Sequence, residues 1–342
     1  MKVLVTGATG FLGSHLCRHL ASGGNTVTIL RRTTSNVAAL AGLDLRHEIG
    51  EITDAASVAR STRGQQVVIH AAACLSNRND ARALQYQVNV EGTRNVVEAC
   101  LKNGVSRLLH VSSVAAIGIP EDARPANEDF AFNLRESNLH YYISKHEAEH
   151  VIARGSAAGL DAVIVNPTGI WGPARSFYRG AAIIEDVRRK RILRYASGGV
   201  CVVHVDDVID GLLAALDRGV RGNRYILGGE NIAFRQLMEK VAAAIGVDRR
   251  FVRIPNAAMN WAVQIAKFAS AMWDGWLVNA YANFYCATRS CYYDSTKARL
   301  NLGFQPRGFD AILKDCLTFT PRRPFFDRNF PNMEGSNGKL AQ

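Results

Sequence analysis

A glycine-rich loop close to the N-terminus constrains the fold of this chain most. Residues 6–13 read T-G-A-T-G-F-L-G, follow a short apolar run and open a helical pattern. Between a strand and a helix, Gly7 allows a tight turn, Gly10 allows close approach of a pyrophosphate, and Gly13 allows helix and sheet to pack closely. The N–H groups at the start of such a helix attract anions. A glycine turn without a ligand is the alternative, because the pattern alone is weak.

Short apolar runs alternate with helical patterns along the first half of the chain. The runs cover residues 2–5, 26–30, 67–70, 107–111 and 162–165, and the helical patterns cover 11–22, 80–103 and 141–158. Such alternation indicates βαβ units and a parallel sheet covered on both faces. The sequence therefore predicts an α/β fold with a doubly wound parallel Rossmann sheet, whose ligands bind at the carboxyl ends of the strands.

The pattern loosens after about residue 167. Strands are predicted at 201–205 and 224–227, and helices at 207–216 and 234–245. We predict a dinucleotide-binding domain at 1–166, to which parts of 200–230 return. Residues 167–325 are predicted to form mainly a smaller, interleaved C-terminal substrate-binding lobe, and residues 326–342 a loosely ordered tail.

Composition narrows the class of protein. The formal charge of +11 favours an anionic partner, such as a phosphorylated cofactor, an acidic carrier or a charged surface. A solvated basic surface is the alternative. The seven cysteines are scattered without C-x-x-C spacing, and His70, His110 and His204 lack metal-ligand spacing, so we expect no disulfide framework and no metal site. We also expect a cytoplasmic protein without a signal peptide, a transmembrane segment or a nucleic-acid motif.

The second strand ends on two arginines, Arg31 and Arg32. An NAD site usually has an acidic residue there for the ribose 2′-hydroxyl, whereas a guanidinium offers a planar set of donors to a 2′-phosphate. The pair favours NADP(H) over NAD(H), although NAD(H) and a plain exposed surface pair both stay open.

Tyr141 and Lys145 are four residues apart in a helical pattern, so their side chains share one face. A phenol has a pKa near 10, and a nearby ammonium together with a positive nicotinamide is expected to lower it. Ser112 and Ser113 follow the run 107–111, where a hydroxyl could hold a carbonyl or alcohol oxygen. Each motif alone is common, since an exposed pair and a turn serine are ordinary.

The order of these motifs resembles that of the extended short-chain dehydrogenases/reductases of the NAD-dependent epimerase/dehydratase superfamily. Within it, the chain is most similar to the dihydroflavonol-4-reductase-like branch. The resemblance extends to about residue 320. It rests on residues 5–13, 70–73, 89–93, 110–113, 141–145, 166–167, 171–173 and 204–208.

The resemblance implies roles for particular residues. Ser113, with Ser112 beside it, is the implied catalytic serine, Tyr141 the proton donor or acceptor, and Lys145 the residue that binds the nicotinamide ribose and tunes Tyr141. Arg32 matches the family's 2′-phosphate arginine better than Arg31. The implied cofactor-binding residues are Gly7, Thr9, Gly10, Phe11, Leu12, Gly13, Arg31, Arg32, Glu51, Ile52, Ala71, Ala72, Ala73, Asn89, Ser112, Tyr141, Lys145 and Pro167.

Three departures from the family pattern matter. Glu51-Ile52 replaces an aspartate-leucine pair that contacts adenine, which puts that contact in doubt. Ile117 and Trp171 stand where nucleotide-sugar epimerases usually have tyrosines. We therefore predict an NADP(H)-dependent oxidoreductase that interconverts a ketone and a secondary alcohol. A nucleotide-sugar epimerase or dehydratase with a tightly held cofactor, and a non-catalytic NADP-sensing protein, are the alternatives.

The substrate side has the weakest pattern. Residues 257–285 carry aromatic and apolar side chains at helical spacing, including Trp261, Ile265, Phe268 and Met272. They fit a packed helical hairpin, a lid over an apolar or aromatic substrate, or a face that touches lipid. The basic residues 188–191 fit a solvated helix end, or a site that steers a substrate linked to a carrier, coenzyme A or a nucleotide. By resemblance, a homodimer forms through the helices 80–103 and 141–158.

Overall fold

The computed structural model describes residues 1–75, 82–173, 179–272 and 276–319, and a seven-stranded parallel sheet dominates these residues. The strands are β1 (Lys2–Thr6), β2 (Thr26–Arg31), β3 (Arg46–Ile49), β4 (Val67–His70), β5 (Arg107–Val111), β6 (Ala162–Pro167), β7 (Gly169–Trp171), β8 (Ile192–Tyr195), β9 (Gly199–His204), β10 (Arg224–Leu227), β11 (Glu230–Ala233), β12 (Arg250–Arg253) and β13 (Ser290–Cys291). The order of strands in the main sheet is β10-β6-β5-β4-β1-β2-β3. This confirms the predicted doubly wound Rossmann sheet.

Helices cover both faces of this sheet. Neighbouring strand residues point to opposite faces, and both are fully buried: Leu4 packs among residues of α2, α4 and α5, and Val5 among residues of α1, α7 and α11. Burial on both sides explains why the strands read as continuous apolar runs. The helices are α1 (Phe11–Ser22), α2 (Ala55–Thr62), α3 (Arg82–Tyr86), α4 (Gly92–Asn103), α5 (His140–Ala157), α6 (Arg179–Arg189), α7 (Val205–Arg218), α8 (Phe234–Ala244), α9 (Asn256–Met272), α10 (Trp276–Ala287), α11 (Thr296–Leu302) and α12 (Phe309–Phe319).

The direction of strand succession reverses beside β1. The chain builds β2 and β3 on one side of β1 and then returns to place β4 on the other. Thr6, His70 and His110 occupy paired positions at the carboxyl ends of β1, β4 and β5. The helices on the two sides of this point diverge, and a crevice opens between them.

The predicted helix at 80–103 is interrupted. Residues 80 and 81 lie outside the described residues, and a π-helical turn (Gln87–Glu91) separates α3 from α4. Asn89 lies in this turn and is 2% exposed. A single π turn accommodates an extra residue, which a 3.6-residue periodicity does not reveal.

The later residues build smaller layers beside the sheet. Strands β7, β9, β11 and β13 form a second sheet, β8 pairs with β12, and β10 joins the main sheet beside β6. The hairpin of α9 and α10 packs its inner face on Ile119 and on Leu139 and Tyr142, which lie at the start of α5. Among the described residues, none of the helices has the length and apolar character needed to span a bilayer.

Candidate active site

A cleft of about 840 Å³ lies at the carboxyl ends of β1, β4, β5 and β6. The structure brings almost all of the predicted site residues to this cleft, although they are spread over 160 positions of the sequence. Asn89 is the exception, because it is not part of the wall. The predicted residues in the wall are Gly7, Thr9, Gly10, Phe11, Leu12, Gly13, Arg31, Arg32, Glu51, Ile52, Ala71, Ala72, Ala73, Ser112, Ser113, Tyr141, Lys145 and Pro167.

The glycine loop has no room for side chains. Gly7 has φ +74°, and a Cβ there would lie 2.6 Å from the backbone of Ala71 and Ala72. A Cβ on Gly13 would lie 2.1 Å from the carbonyl oxygen of Gly7. Gly10 precedes the first turn of α1 and provides no side-chain cap, so N–H groups of that turn stay available to a ligand. The closely packed backbone of this loop and the available N–H groups at the start of α1 together fit the pyrophosphate of a dinucleotide.

The two arginines after β2 differ in their surroundings. The Arg31 guanidinium donates to His47 Nδ1 at 2.9 Å and to the carbonyl oxygen of Arg32 at 3.2 Å. The backbone N–H of Arg32 donates to Ser35 Oγ. Its guanidinium has no hydrogen bond to any residue in the described part of the chain, although Arg32 lines the cleft. Arg32 is therefore the freer of the two to bind a phosphate.

Lys145 is buried at the base of the cleft, 2% exposed. Its Nζ donates to the carbonyl oxygen of Val111 at 3.0 Å, which fixes the ammonium beside the end of β5. Burial lowers the pKa of Lys145 to about 8, and the negative charge of Glu149 opposes that change.

Without a nicotinamide, the pKa of Tyr141 shifts upward, opposite to the direction expected for the cofactor-bound enzyme. Burial raises it to about 12, and a hydrogen bond with Ser113 acts in the opposite direction. Desolvation of the phenolate is the largest of these effects. The phenol is consequently protonated at neutral pH and placed to give a proton.

The two serines after β5 have different environments. Ser112 Oγ donates to Glu149 Oε1 at 2.5 Å, so its hydroxyl is used inside the protein. Ser113 Oγ accepts from the N–H of Ala115 at 3.1 Å and lies within hydrogen-bonding reach of Tyr141. The Ser113 hydroxyl can also hydrogen-bond the Tyr141 phenol, so Ser113 is the serine that can act with Tyr141.

Asn89 links three chain segments behind the cleft. Its Oδ1 accepts from the N–H of Cys74 at 2.7 Å, and its Nδ2 donates to the carbonyl oxygen of Cys74 and to Ser144 Oγ. Ser144 in turn donates to the carbonyl oxygen of Tyr141 at 2.9 Å. Asn89 thus holds the segment after β4 against α5 from behind.

The three histidines noted in the sequence are all buried, and two of them, His70 and His204, hydrogen-bond other side chains. His70 bonds Thr6 Oγ1 at 2.7 Å and Thr93 Oγ1 at 3.0 Å, and His110 is fully enclosed beside it. His204 Nε2 lies 2.8 Å from Asp315, and its Nδ1 accepts from the N–H of Asp206, which caps α7. The ligand atoms of His204 and these two aspartates lie within 4.8 Å of one another, but both ring nitrogens already have hydrogen-bond partners. We assign no metal to them.

Sequence reasoning missed the side chains that support the site. Glu149 and Asn166 are buried, and with the partly buried Arg224 they form a hydrogen-bond network behind Ser112. The signal for Glu149 was present, since it follows Lys145 by four residues and so lies on the same helix face. Asn166 and Arg224 carried no such signal, because their proximity depends on the pairing of β6 with β10.

The hairpin of α9 and α10, predicted on the substrate side, has an exposed and a buried face, and none of its described residues lines the cleft. Trp261, Ile265 and Phe268 point outward and are 64–72% exposed. Tyr281 is buried within the hairpin, and Phe284 and Tyr285 pack against the same cluster. Trp273 lies outside the described residues, and the side chain of Met272 is not described. The basic residues 188–190 are exposed, and Glu185 and Asp186 pair with them.

Comparison with known proteins agrees with this geometry. A model described as the NAD dependent epimerase/dehydratase family matches residues 3–228. Sterol demethylase protein B of Methylococcus capsulatus is 35% identical over 76% of this chain and 79% of its own length. A Synechocystis protein provisionally named dihydroflavonol 4-reductase is 31% identical over 92% of each chain.

A ketoreductase and a solved structure extend the comparison. The 4-hydroxy-2-methyl-3-oxo-4-farnesyl-3,4-dihydroquinoline-1-oxide ketoreductase of Stigmatella aurantiaca is 28% identical over 91% of this chain and 96% of its own. The crystal structure of gox2253 is 30% identical with a TM-score of 0.79, covering 93% of this chain and 97% of that one. The chain therefore belongs to the NAD dependent epimerase/dehydratase family, as an extended short-chain dehydrogenase/reductase of the dihydroflavonol-4-reductase-like branch, an oxidoreductase in a family that binds NAD(P).

Proposed function

We propose that this chain is an NADP(H)-dependent oxidoreductase that interconverts a ketone and a secondary alcohol on a small or medium apolar or aromatic substrate. The observation that carries the proposal is the convergence of Ser113, Tyr141 and Lys145 on the cleft that the glycine loop also lines. Orientation and electrostatics are what a protein contributes to such chemistry.

Each of the three side chains has a distinct task in the reductive direction. The Ser113 hydroxyl donates a hydrogen bond to the substrate carbonyl oxygen. The Tyr141 phenol, protonated at neutral pH, gives its proton to that oxygen as it becomes a hydroxyl. The Lys145 ammonium stabilises the phenolate left behind. A bound nicotinamide supplies the hydride that the carbonyl carbon receives.

Arg32 supports the preference for NADP(H). Its guanidinium lines the cleft beyond the end of β2 and has no hydrogen bond to another described residue. A 2′-phosphate would provide the missing partner through charge-assisted hydrogen bonds. Arg31 contributes positive charge but is held by His47.

Apolar side chains at the cleft support the substrate class. Leu75 and Leu84 belong to its wall and are 70% and 42% exposed. Two leucines in one cleft wall support the proposal of an apolar ligand, because a ligand seated there would cover them. The farnesyl-bearing ketone in the name of one relative and the sterol in the name of another point the same way.

A nucleotide-sugar epimerase or dehydratase is the main alternative. Ile117 and Trp171 stand where nucleotide-sugar epimerases usually have tyrosines. Ile117 is fully buried, and Trp171 is 3% exposed and packs on Phe309. Neither side chain has a hydroxyl for a substrate in the cleft. We propose to follow NADPH consumption over a panel of cyclic, aromatic and long-chain ketones, with UDP- and dTDP-sugars in parallel. Consumption with a ketone supports the proposal and also argues against a non-catalytic sensor. Sugar interconversion without net consumption, or no turnover at all, contradicts it.

We further propose that the working form is a cytoplasmic homodimer paired through α4 and α5. Residues 1–166, to which parts of 200–230 return, form the NADP-binding domain, and 167–325 form mainly the substrate lobe. The predicted tail at 326–342 lies outside the described residues. The support is the family resemblance and the placement of α4 and α5 on one face of the sheet. Light scattering of the purified protein tests the dimer, and a monomer at micromolar concentration contradicts it.

A further inference from the structure

A buried carboxylate lies behind the active site. Glu149 belongs to α5, one turn beyond Lys145, and is 6% exposed. Its Oε1 accepts from Ser112 Oγ at 2.5 Å and from Asn166 Nδ2 at 2.6 Å, and its Oε2 accepts from Arg224 Nη1 at 3.1 Å. An ionised carboxylate is stable in such a place only when its oxygens are paired in this way.

The three donors come from three neighbouring strands. Ser112 follows β5, Asn166 belongs to β6, and Arg224 opens β10. Asn166 Nδ2 also lies 3.0 Å from the carbonyl oxygen of Ser113. Two residues bonded to Glu149 therefore hold the backbone of Ser113. Ser112 precedes it in the chain, and Asn166 donates to its carbonyl oxygen. One side chain connects the catalytic serine to the helix that carries Tyr141 and Lys145.

Glu149 also affects the charge balance around Lys145. Among the described residues, His70 on β4 and His110 on β5 are further titratable groups that face Lys145, and Tyr141 lies one turn before it on α5. Burial lowers the pKa of His70 to about 3 and that of His110 well below its usual value, and it raises that of Tyr141 to about 12. All three are therefore uncharged at neutral pH.

Arg224 lies on the far side of Glu149 and is the second cation of the cluster. Of the groups named here around Lys145, Glu149 is the one with a negative charge. Its charge opposes the effect of burial on the ammonium.

We propose that Glu149 is a positioning residue of the reaction: it holds Ser113 in place beside Tyr141 and keeps the buried ammonium of Lys145 charged. This inference rests on the Ser113–Tyr141–Lys145 mechanism proposed above. Glu149 acts through these residues and need not touch the substrate itself.

The direction of the expected effect follows from the sign of the charge. Lys145 carries its proton below its pKa of about 8 and loses it as the pH rises through that value. Removal of the neighbouring negative charge lowers this pKa further. Glu149→Gln should therefore lose its charged lysine, and with it activity, at a lower pH than the unchanged protein.

The decisive measurement is a titration of Lys145 in the cofactor-free full chain. Lysine labelled with ¹³C at Cε is followed by NMR from pH 6 to 11, with Lys145→Met to assign the signal. We expect the Lys145 midpoint in Glu149→Gln to fall by about one pH unit. Glu147→Gln is the matched control, because Glu147 belongs to the same helix, is 38% exposed and pairs with Arg135. It should leave the midpoint unchanged.

The variant Arg224→Gln distinguishes an effect of the Glu149 charge on Lys145 from an effect of the loosened hydrogen-bond network. It loosens the same network but leaves the carboxylate in place, so the Lys145 midpoint should not fall, even if the melting temperature does. A fall of the same size in Arg224→Gln and Glu149→Gln, or none in either, overturns the proposal. Should Glu149→Gln not fold, Glu149→Asp keeps the charge with a shorter reach. Its midpoint should stay near that of the unchanged protein, and a fall of about one unit overturns the proposal.

Kinetics provide the second readout. The alkaline limb of kcat should move to lower pH in Glu149→Gln, and kcat at its optimum should fall about tenfold, with a small change in KM for the ketone. If the unchanged protein reduces no ketone, the proposed function fails, while the NMR titration still tests Glu149. If ketones are reduced and the limb stays in place, the inference about Glu149 fails alone.

Discussion

The cleft and the hairpin of α9 and α10 are built in different ways. In the cleft, backbone lies where a side chain would be, as at Gly13, whose Cβ would meet the Gly7 carbonyl at 2.1 Å. In the hairpin, α9 exposes Trp261 and Phe268 and buries Met259 and Val263. The glycine loop of the cleft depends on backbone conformation, and the hairpin depends on which side chains pack. A cofactor site built from backbone suits any dinucleotide enzyme, whereas side-chain packing can vary from one enzyme to another.

The largest effect should come from Tyr141 in the wall of the cleft. Tyr141→Phe removes the proton donor and should lower kcat by about 10³–10⁴-fold, equivalent to about 4–5 kcal/mol of activation free energy, at an unchanged Kd for NADPH. Steady-state kinetics and fluorescence titration measure the two quantities.

Tyr142→Phe is the matched control for that change. Its hydroxyl contacts Cys286 Sγ at 3.1 Å in the hairpin of α9 and α10, outside the cleft wall, so turnover should stay within about threefold. Retention of more than a tenth of the activity in Tyr141→Phe contradicts the mechanism.

The second prediction concerns a change in the glycine loop of the cleft alone. A valine at Gly13 must displace the Gly7 carbonyl or the α1 helix, so we expect a loss of about 1–3 kcal/mol in unfolding free energy and at least a hundredfold weaker NADPH binding. Urea unfolding and calorimetric titration measure these. Gly23→Ala at the other end of α1 has φ −81° and should change little. Full NADPH affinity in Gly13→Val would show that the loop is not the binding site.

The third prediction concerns the choice of dinucleotide. Arg32→Ser removes a charge-assisted partner worth about 1.5–3 kcal/mol, so KM for NADPH should rise about tenfold or more while KM for NADH stays unchanged. Arg31→Ser should have a smaller effect, because its guanidinium is engaged by His47. Equal changes for both cofactors would contradict a role in 2′-phosphate binding.

The smallest effect should come from the exposed face of α9. Phe268→Ser alters a side chain that is 70% exposed and should change the unfolding free energy by no more than about 0.5 kcal/mol. Met259→Ala on the same helix is the comparison, since Met259 is 5% exposed and its truncation should destabilise by about 2–5 kcal/mol. Denaturant unfolding measures both. A large loss in Phe268→Ser would mean that this face is covered in the folded protein.

The elements around the main sheet differ in how well the sequence predicts them. The strands at 67–70 and 107–111 and the helix at 11–22 match the structure residue for residue, because local periodicity and a glycine turn specify them. The helix at 80–103 is interrupted by a π turn at Gln87–Glu91, because that turn serves the contacts of Asn89 with Cys74 and Ser144. Periodicity carries no information about such contacts.

The sequence by itself determined the parallel sheet, the glycine loop and the residues that stand at the strand ends, because each depends on neighbours along the chain. Only the tertiary structure decided how these residues behave. It gave the hydroxyl of Ser112 to Glu149, raised the pKa of Tyr141 to about 12 by burial, and brought Arg224 to the same carboxylate from 75 positions away. Desolvation and long-range hydrogen bonds exist only when separate strands and helices enclose a common space, which no local pattern encodes.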